Sequence, residues 1–161
     1  MIAFMSVSVN WSSERTLVGF RLSDYNLSVI SNNTWNEEMD FFNKGRIAGA
    51  SLFVGFMTTD KNMDIVLDEW HYAQSKGIPN ILLVEDVVQL PDNLSGNIII
   101  FNREKPQKAI SEIKKRMKMT LPSKTLKRED VIAWTLGGEA LIDVLEWFMI
   151  PAQEALVTQF Q

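Results

Sequence analysis

The chain has 161 residues, of which 46% are hydrophobic and 22% charged, with a formal net charge of −4, a single histidine and no cysteine. This composition is typical of a globular protein, and the acidic balance disfavours nucleic-acid binding, which needs an excess of basic side chains. Disulfides, thiol nucleophiles, cysteine-ligated metals and multi-histidine metal sites are excluded. We therefore expect no metal and no cofactor, and we expect any catalytic groups to be carboxylates.

Apolar runs of strand length recur along the chain. The first, within "MIAFMSVSV", lacks the positive charge of a secretory signal and predicts the opening strand of a soluble, cytoplasmic protein. We predict strands at 2–9, 26–31, 51–57, 80–86 and 97–101. Because the runs at 51–57 and 80–86 are apolar throughout, as in strands covered on both faces, the predicted fold class is α/β. It is a doubly wound, flavodoxin-like, mainly parallel sheet of about five strands with an extra C-terminal helix.

Five segments of helical length separate and follow these strands. We predict helices at 13–22, 35–50, 63–76, 105–118 and 128–150. The second of them carries apolar or aromatic residues at Met39, Phe42 and Ile47, with acids early and bases late, as a helix dipole prefers. Because "TLPSKT" at 120–125 breaks the chain, we predict an α/β domain of nucleotide-binding type at 1–119, and a linker with a C-terminal helical appendage at 120–161.

The last predicted helix is apolar, but it holds three acids within about two turns, which argues against a membrane span. Its apolar side is formed by Trp134, Leu141, Leu145 and Phe148. This side either covers the domain or binds a partner, such as a second copy of the chain in a homo-oligomer. The double glycine at 137–138 either permits close approach of another helix or marks a kink.

In an open α/β sheet, ligands bind in the crevice at the carboxyl ends of the strands. The residues that can reach this crevice are Ser6, Ser8, Asn10, Trp11, 32–35, 58–64, Glu85, Asp86, Asn102 and Arg103. They are mostly Ser, Asn and acids, which hydrogen-bond sugars and neutral bases. No Gly-x-Gly-x-x-Gly or Walker-type loop follows any strand, so classical dinucleotide-binding and P-loop chemistry are excluded. The reaction class that is left is metal-free cleavage of a glycosidic bond with the help of a carboxylate.

Glu69 is the carboxylate that helical spacing brings nearest to the sheet. Tyr72 and Ala73 are apolar enough to pack inward, and Glu69 lies one turn before them, so we expect it to face the sheet while Asp68 faces solvent. The alternative is a solvated surface acid that pairs with Lys76. The single histidine is expected to be an exposed helix residue, with a general base as the alternative.

Three stretches resemble the central part of nucleoside 2-deoxyribosyltransferases and the related TIR-like domains. They are "IAGASLFVGFM" at 47–57, "EWHYA" at 69–73 and "KGIP" at 76–79. The resemblance extends over 36–118 as a pattern and over 47–86 as motifs. It implies that Glu69 is the catalytic carboxylate of a metal-free enzyme that cleaves the N-glycosidic bond of NAD or of a nucleoside or nucleotide. It also implies a signalling or defence role and an oligomeric assembly.

Around Glu69 we predict a substrate-binding set of Ser6, Ser8, Asn10, Trp11, Trp35, Asp60 and Asp64. The two tryptophans either stack on a base or pack in the core, and the two aspartates either hold the ribose or cap the following helix. The rival prediction is a non-catalytic TIR-like module that senses a nucleotide or binds another protein through its last helix.

Overall fold

The computed structural model describes residues 1–32, 41–120 and 128–148. The strands are β1 (Ile2–Ser8), β2 (Ser28–Ser31), β3 (Leu52–Met57), β4 (Asn80–Glu85) and β5 (Ile98–Phe101). The helices are α1 (Ser12–Asp24), α2 (Phe41–Ala48), α3 (Met63–Ser75), α4 (Gln107–Thr120) and α5 (Arg128–Trp147). The predicted order of elements is confirmed. The predicted start of the second helix at Trp35 and end of the last at Ile150 lie outside the described residues.

The five strands form one parallel sheet in the order β2-β1-β3-β4-β5. This is the doubly wound, flavodoxin-like order, so the predicted fold class is confirmed. From β1 the chain moves first outward to β2 and then back across to β3. The topological switch point therefore lies between β1 and β3, where the helices after these two strands leave opposite faces of the sheet and open a crevice.

Alternate strand residues face two separate cores. On one face α1, α4 and α5 pack over Met5, Val54 and Phe56. On the other face α2 and α3 pack over Phe4 and Phe53, whose rings stack 5.9 Å apart. The connection between β4 and β5 contains no described helix, and its apolar side chains join this second core. Polar groups on the α2–α3 face are therefore enclosed between helices and sheet.

Helix α5 lies between α1 and α4 and covers β3. The two glycines of α5 lie in a continuous helix and allow close packing, so they do not mark a kink. A Cβ at Gly137 would overlap the side chain of Leu52, and a Cβ at Gly138 would lie 2.5 Å from Met117 Sδ. Trp134, Leu141 and Leu145 are buried in the same core, as expected for a covering helix. A second chain would have to use the exposed side of α5. No helix in the described parts of the chain is long and apolar enough to cross a membrane.

Candidate functional site

Glu69 lies on the buried face of α3 and is 0% exposed. It follows Val66 by three residues and precedes Ala73 by four, and both of these side chains pack in the core beneath the helix. The expectation that Glu69 faces the sheet is therefore confirmed, as is the exposure of Asp68 and of the single histidine. The alternative prediction, a solvated Glu69 that pairs with Lys76, is wrong.

Two polar side chains hold one oxygen of this carboxylate. Ser6 Oγ donates a hydrogen bond to Glu69 Oε1 at 2.9 Å, and Asn32 Nδ2 donates to the same oxygen at 3.0 Å. Asn32 Nδ2 also lies 3.2 Å from Ser6 Oγ, while Asn32 Oδ1 accepts from the backbone N–H of Val7. Ser6 belongs to β1, Asn32 follows β2, and Glu69 is on α3. The strand order at the switch point therefore brings Ser6, Asn32 and Glu69 together.

The second oxygen, Oε2, is buried and accepts no hydrogen bond from the described residues. Burial raises the pKa of Glu69 above its usual value, hydrogen bonding to Asn32 and Ser6 opposes this rise only in part, and the nearby Asn43 amide opposes it further without meeting Oε2 at hydrogen-bond geometry. No basic side chain of the described residues forms an ion pair with Glu69. The site thus holds a titratable acid with one oxygen fixed and the other without a partner.

Small residues make room for this carboxylate between α3 and the sheet. Ser6 is paired in register with Gly55 on β3. A Cβ on Gly55 would lie 2.5 Å from Leu82 Cδ1 and 3.6 Å from Val66 Cγ1 of α3. A larger residue at position 55 would therefore push against both the neighbouring strand and the helix that carries Glu69.

Asn43 on α2 is a site residue that the sequence analysis missed. It is buried, together with Ile47 one turn later, whereas Phe42 is 70% exposed. Of the three apolar residues of the predicted helix, Ile47 is buried and Phe42 is exposed, and Met39 lies outside the described residues. Phe42 and Asn43 are adjacent on a helix and point about 100° apart, and in α2 it is Asn43 that shares the buried face with Ile47. The spacing of Asn43 and Ile47 was the available signal.

The other predicted serine and asparagine fasten the ends of β1 and β3 to each other. Ser8 Oγ faces the backbone carbonyls of Thr59, at 3.2 Å, and Lys61. The backbone N–H of Asn10 donates to Thr58 Oγ1, and its side chain donates to the Thr58 carbonyl, both at 3.0 Å. These contacts shape the crevice floor, and neither side chain hydrogen-bonds Glu69.

The predicted aromatic and acidic ligands lie at the rim of the crevice. Trp11 is 67% exposed at the start of α1, so packing in the core is wrong for it. Trp35 lies outside the described residues. Asp60 and Asp64 are exposed, and Asp60 Oδ1 accepts from the backbone N–H of Gln89 at 2.8 Å. The prediction that these aspartates cap α3 is wrong. The N-cap residue of α3 is Asn62, and no side chain makes a cap hydrogen bond there.

On the β4–β5 side, a charged network closes the carboxyl edge of the sheet. Arg103 Nη2 lies 2.5 Å from Glu14 Oε1 and 2.9 Å from Glu85 Oε1, and its guanidinium covers the ring of Phe148. Thr58 Oγ1 donates to Glu14 Oε2 at 2.7 Å. Glu14 is buried but compensated by Arg103, whereas the described part of the chain places no such cation at Glu69. The acids of this network therefore have a structural role.

A cavity of about 140 Å³ opens at the switch point, above the β1 terminus. Its lining residues are Val7, Ser8, Val9, Arg15, Thr59, Lys61 and Asn62. Arg15 on α1 links the cavity to the buried acid, since Nη1 donates to Ser31 Oγ at 2.9 Å and to the carbonyl of Asn32 at 3.3 Å. The sequence analysis missed Arg15, although its position in the first helical turn after β1 places it at the carboxyl edge.

A larger groove, of about 410 Å³, runs along the edge strand β5 and α4. It lies at the opposite edge of the sheet from β2, away from the switch point, and Glu69 lines neither this groove nor the smaller cavity. We assign the candidate site to the smaller cavity, because that cavity lies at the switch point and connects through Asn32 to the titratable acid.

No protein-family model, curated protein or solved structure matches this chain. The fold and the site define the protein as a flavodoxin-like α/β domain with a buried glutamate beneath its switch point that forms no ion pair with the described residues. Among the described residues, no three His, Asp or Glu side chains lie together as metal ligands would.

Proposed function

We propose that this protein cleaves the N-glycosidic bond of NAD or of a nucleoside or nucleotide, with Glu69 as the catalytic carboxylate. The observation that supports this most is a fully buried glutamate with a raised pKa and no cationic partner among the described residues. Structural carboxylates are almost never fully buried unless they are paired. A buried acid that lowers the stability of the fold is typical of a functional site.

The two oxygens of Glu69 suit two separate tasks. Ser6 and Asn32 hold Oε1 and so fix the orientation of the carboxylate, which makes them positioning residues. Oε2 is then the oxygen that approaches the anomeric carbon of the ribosyl group. It either forms a bond to that carbon or stabilises the positive charge that develops there.

In the covalent route, the bond between the anomeric carbon and the base nitrogen breaks, and its electron pair leaves with the base. Glu69 Oε2 forms an ester to the same carbon. Water then hydrolyses the ester, which leaves a hydroxyl on the anomeric carbon, restores the carboxylate and yields the proton that a departing nucleoside base takes up, or a second base takes the place of water in a transfer reaction. Nicotinamide leaves NAD without needing a proton, because the pyridinium nitrogen is already cationic.

Two further features support this proposal. The stretches at 47–57, 69–73 and 76–79 resemble deoxyribosyltransferases and TIR-like domains, in which the matching glutamate acts at the anomeric centre. The exposed indole of Trp11 at the carboxyl edge offers a face on which a base can stack. A substrate would reach Oε2 by displacing side chains that now cover it, and we propose that the Asn43 amide is one of them.

One observation favours the rival function, a non-catalytic module that senses a nucleotide. Glu69 is 0% exposed, as a carboxylate would be if it only stabilised a closed core. In that case the crevice above Asn32 would bind a nucleotide, and Glu69 would fix Asn32 without meeting the ligand.

A substrate panel with matched variants distinguishes the two. NAD, nucleosides and nucleoside monophosphates are incubated with wild-type protein, Glu69→Gln and the control Asp68→Asn, whose side chain is exposed one residue away. We expect release of free base by wild type and the control, and a loss of at least about a hundredfold in Glu69→Gln. Because TIR-like enzymes are often active only as assemblies, the panel is repeated at high protein concentration. Nucleotide binding without base release at every concentration would refute the enzyme and favour the sensor.

A further inference from the structure

The cavity at the switch point is unusually basic for an acidic protein. Arg15 and Lys61 line it, and no Asp or Glu side chain of the described residues does. The whole chain carries a net charge of −4. The acids nearest in sequence, such as Asp60 and Glu14, are outside the cavity lining, and Glu14 is compensated by Arg103. The cavity therefore concentrates positive charge where a ligand of this fold class binds.

Arg15 has no anionic partner among the described residues. It forms no ion pair there, and only Nη1 is engaged, with the neutral acceptors Ser31 Oγ and the Asn32 carbonyl. Nε and Nη2 make no hydrogen bond with the described chain. Partial burial lowers the pKa of Arg15 from its usual value, the effect expected where desolvation is not compensated by a negative charge. A half-buried guanidinium in this state favours an external anion.

We infer that this cavity is an anion subsite that holds the phosphate of a nucleotide, so that the protein selects phosphate-bearing ligands over nucleosides. This selection of substrate rests on the proposed function, whereas the anion subsite itself does not. At about 140 Å³ the cavity is smaller than the roughly 300 to 1,000 Å³ of pockets that enclose whole drug-sized ligands. It accommodates one group of a ligand whose remainder lies in the crevice.

The position of the subsite fits a nucleotide that spans the crevice. Arg15 contacts the Asn32 carbonyl, and the Asn32 side chain contacts Glu69, so two residues, Arg15 and Asn32, link the bound anion to the acid. The fixed guanidinium can offer two N–H groups to one phosphate, and Lys61 can add a charge from the β3–α3 loop. The N-terminus of α3, which follows Asn62 in the lining, adds a smaller attraction.

Binding is measured by calorimetry with AMP, inorganic phosphate and adenosine as probes, and none of these measurements requires turnover. We expect AMP to bind wild type and Glu69→Gln alike, and more tightly than adenosine. Arg15→Gln is expected to weaken AMP binding by about ten- to a hundredfold, the range for losing charge-assisted hydrogen bonds, without changing adenosine binding. Arg15→Lys should restore part of the loss.

Two further variants separate the subsite from folding effects. Lys61→Gln changes an exposed loop residue, and we expect a smaller loss of AMP affinity with an unchanged melting temperature. Arg21→Gln is the control, because Arg21 is a half-buried arginine of the same helix that is paired with Asp24 away from the cavity. Equal AMP affinities for wild type, Arg15→Gln and Lys61→Gln would overturn the subsite, as would equal affinities for AMP and adenosine. AMP binding that depends on Arg15, together with absent base release, would retain the subsite and reject the enzyme.

Discussion

Replacing Glu69 by Gln should make the folded protein more stable at neutral pH. The substitution keeps an oxygen that can accept from Ser6 and Asn32, but it replaces an acid whose ionisation is opposed by burial, and which has no cationic partner among the described residues, by a neutral amide. Taking the desolvation cost of one unsatisfied buried polar group, we expect a gain of about 1–3 kcal/mol in the free energy of unfolding. For a chain of this size, that raises the melting temperature by roughly 2 to 12 °C.

The raised pKa of Glu69 determines how the difference in unfolding free energy between wild type and Glu69→Gln changes with pH. Burial raises the folded-state pKa of Glu69 above the ordinary value of 4.5. Between the ordinary and the raised pKa, the folded state binds more protons than the unfolded state, so the free energy of unfolding falls as pH rises through that window. Glu69→Gln has no carboxyl group to titrate at this position. The amount by which its free energy of unfolding exceeds that of wild type should therefore grow as pH rises across the window and then level off.

The assay is urea unfolding of both proteins at a series of pH values from 4 to 8, with Asp68→Asn as the control. Because Asp68 is exposed, we expect the control to stay within about 0.5 kcal/mol of wild type. The reasoning would be refuted if Glu69→Gln were less stable than wild type at pH 7. It would also fail if the difference between the two proteins were the same at every pH.

Three further variants test neighbouring parts of the account. Asn32→Ala removes a donor that lowers the pKa of Glu69, so the acidic limb of the kcat/KM profile for base release should move to higher pH; an unmoved limb contradicts that role. Gly55→Ala should lower the free energy of unfolding in urea by about 1–3 kcal/mol, because its Cβ would meet Leu82; unchanged stability would contradict the close packing. Trp11→Ala should leave the melting temperature unchanged and raise KM several-fold, whereas an unchanged KM would exclude stacking on the exposed indole.

Local patterns in the sequence predict most of the fold because the core is built from continuous apolar strands and regular helices. The same periodicity predicts that Glu69 faces the sheet, since Val66 and Ala73 lie on its side of α3. Hydrophobicity alone favours Phe42 over Asn43 as the buried residue of α2, yet Asn43 is the buried one. Asn43 is buried because it meets the acid on α3, a condition that its own helix does not contain.

The remaining site features depend on residues far apart in the chain. Ser6 and Glu69 are separated by 63 positions, and they meet only because β1 and α3 flank the switch point. Arg15 lines a cavity whose other walls come from β1 and the loop before α3, so no local pattern indicates its exposure to a ligand. Likewise, Glu14 appears in the sequence as an ordinary acid of a first helical turn until the sheet brings Arg103 to it.

The most direct test of the central claim is the rate of base release from NAD and AMP by Glu69→Gln relative to Asp68→Asn. Both variants remove one negative charge from α3, but only Glu69 is buried beneath the switch point. We predict that Asp68→Asn keeps the wild-type rate, while Glu69→Gln loses at least about a hundredfold and remains folded. Equal rates for the two variants, or no release by wild type under any condition, would contradict the assignment of Glu69 as the catalytic carboxylate.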